Sequence, residues 1–189
     1  MGNDFLLYLI YSVTIIFLLI VIFLFFMLIR RRRYNRSLKK HPVPRIDCGS
    51  VSVFFDQKNN VIVIPYVKDK YGVGRAIGKP QFLQAPYNTR ALGEVVRRSM
   101  AMCKGGHPCT DALLMSKLNS LDWKDFSKDK RNISIYYKEE LGLVFNTTKR
   151  VSDGSYQFNF RGYEKVLGSS VGNEELGVVL MNLLERCRC

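Results

Sequence analysis

The chain has 189 residues, of which 47% are hydrophobic, and its net charge is +13. Residues 1–40 hold seven basic groups and one acid, and residues 41–189 hold 22 and 15, so the basic excess after residue 40 is moderate. That dispersed charge does not require a nucleic-acid surface. With only two histidines, neither in a recognisable arrangement with a nucleophile, the sequence also disfavours an enzyme.

Residues 5–29 are uncharged and predict a transmembrane helix. About 20 apolar residues are needed to cross a hydrocarbon core of roughly 30 Å, and no other segment of the chain approaches that length. A secretory signal peptide fits poorly, because no Lys or Arg precedes the apolar run. N-myristoylation is disfavoured too, since Leu6 stands where its pattern needs Ser or Thr.

The charges on either side of this segment predict its orientation. Arg30, Arg31, Arg32 and Arg33 follow it directly, whereas residues 1–4 carry only Asp4. Because basic flanks stay on the cytoplasmic side, we expect residues 1–4 outside and everything from Arg30 onward in the cytoplasm. The four arginines then face anionic lipid. Residues 30–47, which are basic and contain proline, predict a juxtamembrane linker.

Two segments, 51–66 and 133–148, share one pattern at an offset of 82. Each has alternating apolar residues, a turn and a second apolar stretch, which predicts a β-hairpin. A third short extended stretch follows in each copy, at 80–84 and at 156–160. The sequence therefore predicts half-repeats at about 50–103 and 132–187.

An amphipathic helix is predicted at the end of each half-repeat. Asn88 or Thr89 can cap the first helix, and Asn173 can cap the second. A glycine lies inside each, at Gly93 and Gly177, although glycine costs about 1 kcal/mol there relative to alanine. We therefore expect close backbone packing at both positions. The apolar stripes, related by an offset of 84, are Leu92, Val95, Val96, Ser99, Met100 and Cys103, and Leu176, Val179, Leu180, Leu183, Leu184 and Cys187.

Residues 110–130 predict a helical connection of one or two helices, with Ser120 as a candidate cap. Trp123 and Phe126, three residues apart, are expected to pack this connection on the sheet. The predicted fold class is α+β: two β-β-β-α half-repeats form a sheet with helices packed on it, preceded by a single transmembrane helix. The folded domain is expected to span residues 48–189.

The segment from Gly72 to Lys79 resembles a phosphate-binding loop only superficially. Three residues, not four, separate Gly74 from Gly78, and Pro80 follows the lysine where a Walker loop needs Ser or Thr. We interpret the segment as an exposed inter-strand loop that meets an acidic partner. Its candidate contacts, chosen by charge and exposure, are Lys68, Lys70, Tyr71, Arg75 and Lys79.

A zinc site is an alternative use of the cysteines. Cys103, His107 and Cys109 could be completed by Cys187 and Cys189. However, Cys103 and Cys187 fall at equivalent apolar-stripe positions, and no Cys-x-x-Cys pair is present, which favours buried reduced thiols. The sequence therefore predicts no metal, no cofactor and no catalytic residue.

Four short patterns occur in order in the folded domain: "GKP" before the first helix, "ALGE" within it, "DWKDF" in the connection and "EELG" in the last helix. In this arrangement the domain, from about residue 48 to 187, resembles the immunity proteins of bacterial contact-dependent growth inhibition. That family is recorded mostly as a domain of unknown function and includes nuclease-toxin immunity proteins.

The resemblance implies a non-catalytic protein that binds a toxin domain delivered by a neighbouring cell, here from the inner membrane of a bacterium. In one such protein a toxin hairpin adds to the immunity sheet. Two features depart from the family, because many members are soluble and nuclease-specific ones are often acidic. Two alternatives stay open: a membrane-tethered structural or signalling module, and a nucleic-acid binder at the membrane.

Overall fold

A computed structural model describes residues 18, 20–25, 27 and 44–188. The chain divides into two units between residues 43 and 44. In the first unit the described residues are helical, and their apolar side chains are exposed. The rest of the predicted span 5–29, residues 1–4, the flank Arg30–Arg33 and the linker as far as residue 43 lie outside the described residues. Within the described part, no helix has both the length and the apolarity that a bilayer crossing demands.

Residues 44–188 form a curled antiparallel sheet with helices on both of its faces. The α+β class expected from the sequence is confirmed. The strands are β1 (Ser50–Phe55), β2 (Val61–Lys68), β3 (Gly74–Ala76), β4 (Gln81–Leu83), β5 (Arg131–Lys138), β6 (Gly142–Arg150), β7 (Tyr156–Phe158) and β8 (Lys165–Leu167). The helices are α1 (Thr89–Met102), α2 (Asp111–Leu118), α3 (Trp123–Phe126) and α4 (Asn173–Leu184).

The strand order β3-β2-β1-β5-β6-β7 is symmetric about the central pair β1 and β5. β4 pairs with β2 beside β3, and β8 pairs with β6 beside β7. Ser52 lies directly opposite Ser134 in the central pair. These two serines are 82 residues apart, which is the hairpin offset, so a local two-fold axis passes between them.

Each half contains four strands, and the predicted three-strand pattern is wrong in this respect. The sequence equated 156–160 with 80–84, but β7 (Tyr156–Phe158) occupies the place of β3 (Gly74–Ala76). The counterpart of β4 is β8, which the sequence did not reveal because three residues are too few to show an alternating pattern. The β7–β8 loop is two residues longer than the β3–β4 loop, which explains the change of offset from 82 to 84.

Helices α1 and α4 cover one face of the sheet and bury the main core. β-branched residues of the central strands, such as Val53 and Ile135, have no exposed surface, and neither do Leu92 and Leu176 of the helices. Burial of such a side chain contributes about 1.5–3 kcal/mol. Each helix packs on strands of its own half and against the other helix, so the two halves share one core and stabilise each other.

The two helices approach most closely at the paired glycines. A Cβ atom at Gly93 would overlap the carbonyl oxygen of Asn173, and one at Gly177 would overlap that of Thr89. Thr89 and Asn173 are themselves equivalent, because they differ by the helix offset of 84. The contact is therefore reciprocal, and the expectation of close backbone packing at both glycines is confirmed.

The connecting helices α2 and α3 pack on the opposite face of the sheet. The Phe54 and Phe126 rings meet edge to face with centroids 5.0 Å apart, and Trp123 lies 5.5 Å from Phe126. The expectation that Trp123 and Phe126 pack the connection on the sheet is confirmed. Because α2 is only eight residues long and α3 four, they cover part of this face and leave the rest open.

Helix caps agree with the sequence at one of three places. The Asn88 side chain accepts from the Ala91 N–H at 2.8 Å and caps α1 as expected. The predicted cap Asn173 is wrong: Gly172 holds the cap position of α4, and the Asn173 amide oxygen accepts from Arg97 Nε at 2.6 Å. Asp122, and not Ser120, caps α3.

Candidate functional site

The β2–β3 hairpin, residues 68–76, projects from the edge of the sheet. Its turn is organised by Asp69, whose carboxylate accepts from the N–H groups of Tyr71 at 2.8 Å and Val73 at 3.0 Å. Arg75 lies 3.4 Å from the same carboxylate. An aspartate side chain that accepts hydrogen bonds from the N–H groups two and four positions later favours a tight turn. This geometry therefore follows from the local sequence.

Ionised Asp69 keeps the turn in this conformation. Partial desolvation opposes ionisation, but the N–H groups of Val73 and Tyr71 and the Arg75 guanidinium outweigh it and hold the pKa of Asp69 below its ordinary value. The carboxylate is therefore charged at neutral pH. The hairpin carries three cations, Lys68, Lys70 and Arg75, against this single acid, so its net charge is positive.

Four of the five predicted contact residues are brought together here. Lys68, Lys70, Tyr71 and Arg75 lie in the hairpin, and the Lys70 ammonium sits 4.9 Å from the Tyr71 ring centroid. Tyr71 is 77% exposed, so most of its ring is available to a partner. Lys79 is also exposed but lies beyond β3, in the loop that leads to β4. The site assignment itself stays a prediction.

A cleft of about 700 Å³ adjoins the base of the hairpin. Its floor crosses β1, β2 and β5, where Ser50, Ser52, Tyr66 and Tyr136 belong to the face that α1 and α4 do not cover. Lys68 stands at its margin. Serine hydroxyls and tyrosine rings in a concave surface supply hydrogen bonds together with apolar contact area, a combination common in binding sites.

Tyr66 also borders a second cleft of about 450 Å³, which extends along the same face toward Trp123, Asn132 and Ser134. Burial raises the pKa of Tyr66 to about 12, and a hydrogen bond from Ser52 opposes the shift. The phenol is therefore protonated at every physiological pH. It can donate a hydrogen bond but cannot serve as a base.

The thiols near these clefts are not activated nucleophiles. Burial raises the pKa of Cys103, whose Sγ lies 3.5 Å from the Ser50 carbonyl oxygen. Desolvation and Asp47 raise the pKa of Cys48. A reactive thiol needs a lowered pKa, so this environment favours inert thiols. Neither cleft is lined by histidine.

The structure gives no support to the zinc alternative in the part of the chain that it describes. Across residues 44–188 no three His, Cys, Asp or Glu side chains are grouped so that they could hold a metal ion. Cys187 is buried, with its Sγ 3.2 Å from the Asn132 carbonyl oxygen. Cys189, the last ligand of that alternative, lies outside the described residues.

The sequence did not identify the open face of the sheet. The signal was present, because Ser50 and Ser52 in β1 and Asn132, Ser134 and Tyr136 in β5 fall at every second position. Polar residues with this spacing mark a strand face that is not in the main core. What the sequence could not show is that α2 and α3 stop short of covering it.

No family model matches the chain, and no curated protein matches it in sequence. Solved structures share its fold. A Neisseria meningitidis protein of unknown function aligns with a TM-score of 0.58 and 14% identity, over 78% of this chain and 100% of that one. A chain of a CdiA-CT/CdiI toxin and immunity complex from Yersinia pseudotuberculosis aligns with a TM-score of 0.56 and 13% identity, over 76% and 99%. At these identities the similarity concerns the fold.

Proposed function

We propose that this chain is a membrane-anchored immunity protein of contact-dependent growth inhibition, which neutralises a toxin domain by binding it without catalysis. The proposal is supported by the sequence patterns and by the fold shared with a chain of a toxin and immunity complex. The observation that carries it is the site itself. An exposed basic hairpin stands beside a cleft of serine and tyrosine side chains that can hold a partner but supply no general base.

The proposed contact surface consists of Lys68, Lys70, Tyr71 and Arg75 with the adjoining cleft, and Lys79 extends it along the sheet edge. Because Lys68, Lys70 and Arg75 outnumber the single acid Asp69, the hairpin complements an acidic surface on the toxin domain. Tyr71 is the candidate anchor, because exposed tyrosines that become buried on binding are frequent energetic centres of interfaces.

Membrane anchoring through residues 5–29 belongs to the same proposal, with the folded domain in the cytoplasm. The described residues of that segment are helical and expose apolar side chains, as a helix in contact with lipid would. A tether confines the binding domain to the membrane surface and raises its effective concentration where a toxin arrives.

The test is co-expression with the toxin domain encoded beside the gene, followed by co-purification and titration calorimetry. Charge reversal in the triple variant K68E/K70E/R75E should weaken affinity by about 10- to 100-fold. The matched control K58E/R90E/K128E changes the net charge equally at other exposed positions and should stay within about threefold. Equal losses in the two variants would exclude the hairpin as the contact, and no complex at all would exclude the toxin partner.

The anchor is tested separately, by deletion of residues 1–40. The truncated chain should bind the toxin domain with unchanged affinity in solution but protect cells less at native expression. Undiminished protection would rule out the tether while leaving toxin binding intact.

A further inference from the structure

A third cleft, with its own chemistry, lies at the opposite edge of the sheet, between β7 and the end of α4. Its volume is about 570 Å³. Lys149, Arg186 and Arg188 contribute three cations to its wall, against the single acid Glu185. Arg186 already forms an ion pair within the protein, because its Nη1 lies 3.6 Å from the buried carboxylate of Glu164. Lys149 and Arg188 are exposed, and neither has a carboxylate partner among the described residues.

Two phenylalanines form the apolar part of this cleft. Phe158 is 55% exposed and Phe160 is 62% exposed. Both rings line the same cleft, and contiguous exposed apolar surface often marks an interaction site. Aromatic rings and arginines are also the residue types enriched where protein interfaces concentrate their binding energy.

The residue between them fixes how the two rings are presented. The Asn159 N–H donates to the Thr147 carbonyl oxygen at 3.0 Å. Its side-chain amide donates to Thr147 Oγ1 at 2.8 Å and to the Arg186 carbonyl oxygen at 3.2 Å. These hydrogen bonds hold the chain in place between the two phenylalanines, whose rings are both exposed. Such preorganisation reduces the entropy lost when a partner binds.

The equivalent positions in the first half carry no aromatic ring: Ala76 and Gly78 stand where the second half has Phe158 and Phe160, and both are buried. The β3–β4 loop is shorter and begins with Ile77 and Gly78, both buried. Fold symmetry therefore does not require exposed phenylalanines at this position. They are a particular feature of the second half.

The distribution of charge favours a short acidic peptide over a nucleic acid. A single strand needs a basic track along which successive phosphates lie. Here the cations gather at one end, and the neighbouring cleft continues past Phe158 with Ser134, Thr148 and the acid Asp153. A ligand with a few carboxylates around one apolar side chain matches both parts of the surface.

We propose that the cleft formed by Lys149, Phe158, Phe160, Arg186 and Arg188 is a second binding site, which takes a short acidic polypeptide segment with an apolar side chain at its centre. The apolar side chain packs between the phenylalanine rings, and the flanking carboxylates pair with Lys149 and Arg188. This site is separate from the β2–β3 hairpin and does not depend on the identity of the partner that binds there.

The experiment uses the full chain in detergent micelles and a fluorescent nine-residue peptide with a single central Phe between Asp and Glu residues. A second peptide with Asn and Gln in place of the acids is the neutral control. Fluorescence anisotropy should show saturable binding of the acidic peptide and at least about tenfold weaker binding of the neutral one. Binding should weaken by about tenfold or more in F158S/F160S and, separately, in K149Q/R188Q.

The matched control K68Q/R75Q removes the same charge from the β2–β3 hairpin and should bind the acidic peptide within about twofold of the original chain. Absence of saturable binding would overturn the proposal, as would equal affinity for the two peptides. An equal loss in the hairpin variant, or tighter binding of a thymidine 20-mer than of the peptide, would overturn it as well. If loss of both rings disturbs the fold, the K149Q/R188Q variant still tests the site.

Discussion

The β2–β3 hairpin and the β6–β7 hairpin occupy equivalent places in the two halves, but their surroundings differ. In the second half, Arg150 Nε donates to Ser127 Oγ at 2.8 Å, and the Tyr156 hydroxyl lies 2.8 Å from the Lys130 carbonyl oxygen. A Cβ atom at Gly154 would lie 2.6 Å from the Cα of Lys124. The β6–β7 hairpin is thus packed tightly against α3 and the turn that follows it.

The β2–β3 hairpin is held only at its base, where the Cys109 N–H donates to the Ala76 carbonyl oxygen at 2.8 Å, and among the described residues no hydrogen bond joins residues 68–75 to the connection. A Cβ atom at Gly72 or Gly74 would have no heavy atom within 4 Å, apart from the adjoining residues. The helical connection occurs once in the chain: α3 and the turn after it cover the β6–β7 hairpin, whereas α2 reaches only the base of the β2–β3 hairpin at Ala76. A duplicated fold therefore acquires one fixed hairpin and one exposed hairpin, and the exposed one is available to a partner.

The largest expected effect comes from the symmetric contact between α1 and α4. Gly93→Ala and Gly177→Ala each place a Cβ against backbone that no side-chain rotation can move. Each variant should lose about 3 kcal/mol or more of the free energy of unfolding, despite the gain of about 1 kcal/mol in helix propensity. Chemical denaturation measures both losses, and Gly74→Ala, which meets open space, should stay within about 0.5 kcal/mol. Clearly unequal losses would contradict the local two-fold symmetry.

A smaller loss of the free energy of unfolding is expected on substitution of Arg97, which has no equivalent arginine in the second half. Its buried guanidinium donates to Asn173 Oδ1 and to the carbonyl oxygens of Pro44 and Val171, and its counterpart in α4 is Met181. Arg97→Met leaves these acceptors without a donor and should cost about 2–3 kcal/mol. The exposed neighbour provides the control: Arg98→Met should change the free energy of unfolding by less than about 0.5 kcal/mol. Matching values for the two variants would show that the Arg97 contacts contribute no net stability.

The β6–β7 hairpin should open more readily when one hydroxyl group is removed. Tyr156→Phe removes the hydrogen bonds to the Ser127 and Lys130 carbonyl oxygens and should cost about 1 kcal/mol. Amide hydrogen exchange should rise in residues 150–156, because those contacts oppose local opening. Tyr71→Phe in the exposed hairpin should change neither stability nor exchange. Unchanged exchange in the Tyr156 variant would mean that other contacts hold the β6–β7 hairpin.

The smallest effect is expected in the exposed hairpin itself. Asp69→Asn weakens the acceptor for the N–H groups of Tyr71 and Val73, so exchange at those two amides should rise while global stability changes by less than about 0.5 kcal/mol. Nuclear magnetic resonance follows each amide separately. Protected amides in the variant would show that the turn forms without the carboxylate.

Acid should act on the same turn. The folded pKa of Asp69 is lower than its ordinary value of 3.8, so its contribution is complete above that value and is lost as pH falls through the lower folded pKa. Exchange at Tyr71 and Val73 should therefore become insensitive to the Asp69→Asn change at pH values below the folded pKa. A difference that persists there would contradict this linkage.

Much of the scaffold could be predicted from the sequence because each half repeats the same local signals. The hairpin alternation, the apolar stripes and the paired glycines predicted the α+β fold and the glycine contact. The three-residue strands β3 and β8 could not be predicted, because their pairing depends on the edge that β2 and β6 present. The Asn173 cap was wrong for a similar reason, since its side chain binds Arg97, which is 76 residues away.

The candidate site divides in the same way. Lys68, Lys70, Tyr71 and Arg75 were chosen from the sequence by charge and expected exposure, and their role as contacts stays a prediction. The cleft beside them was not, because Ser52, Tyr66 and Tyr136 come from three strands that are adjacent only in the folded sheet. Phe158 and Phe160 were interpreted as part of a strand, but β7 ends at Phe158, and Asn159 between them bonds to Thr147 and to the Arg186 carbonyl oxygen, which lie far away in the sequence.

The sequence by itself determined the repeat, the helix faces and the position of a long apolar segment at residues 5–29, because these are periodic or compositional features of neighbouring residues. Only the tertiary structure decided which of two equivalent hairpins is exposed and which sheet face stays open. Those outcomes depend on where α2 and α3 pack, and their packing is governed by contacts between residues far apart in the chain.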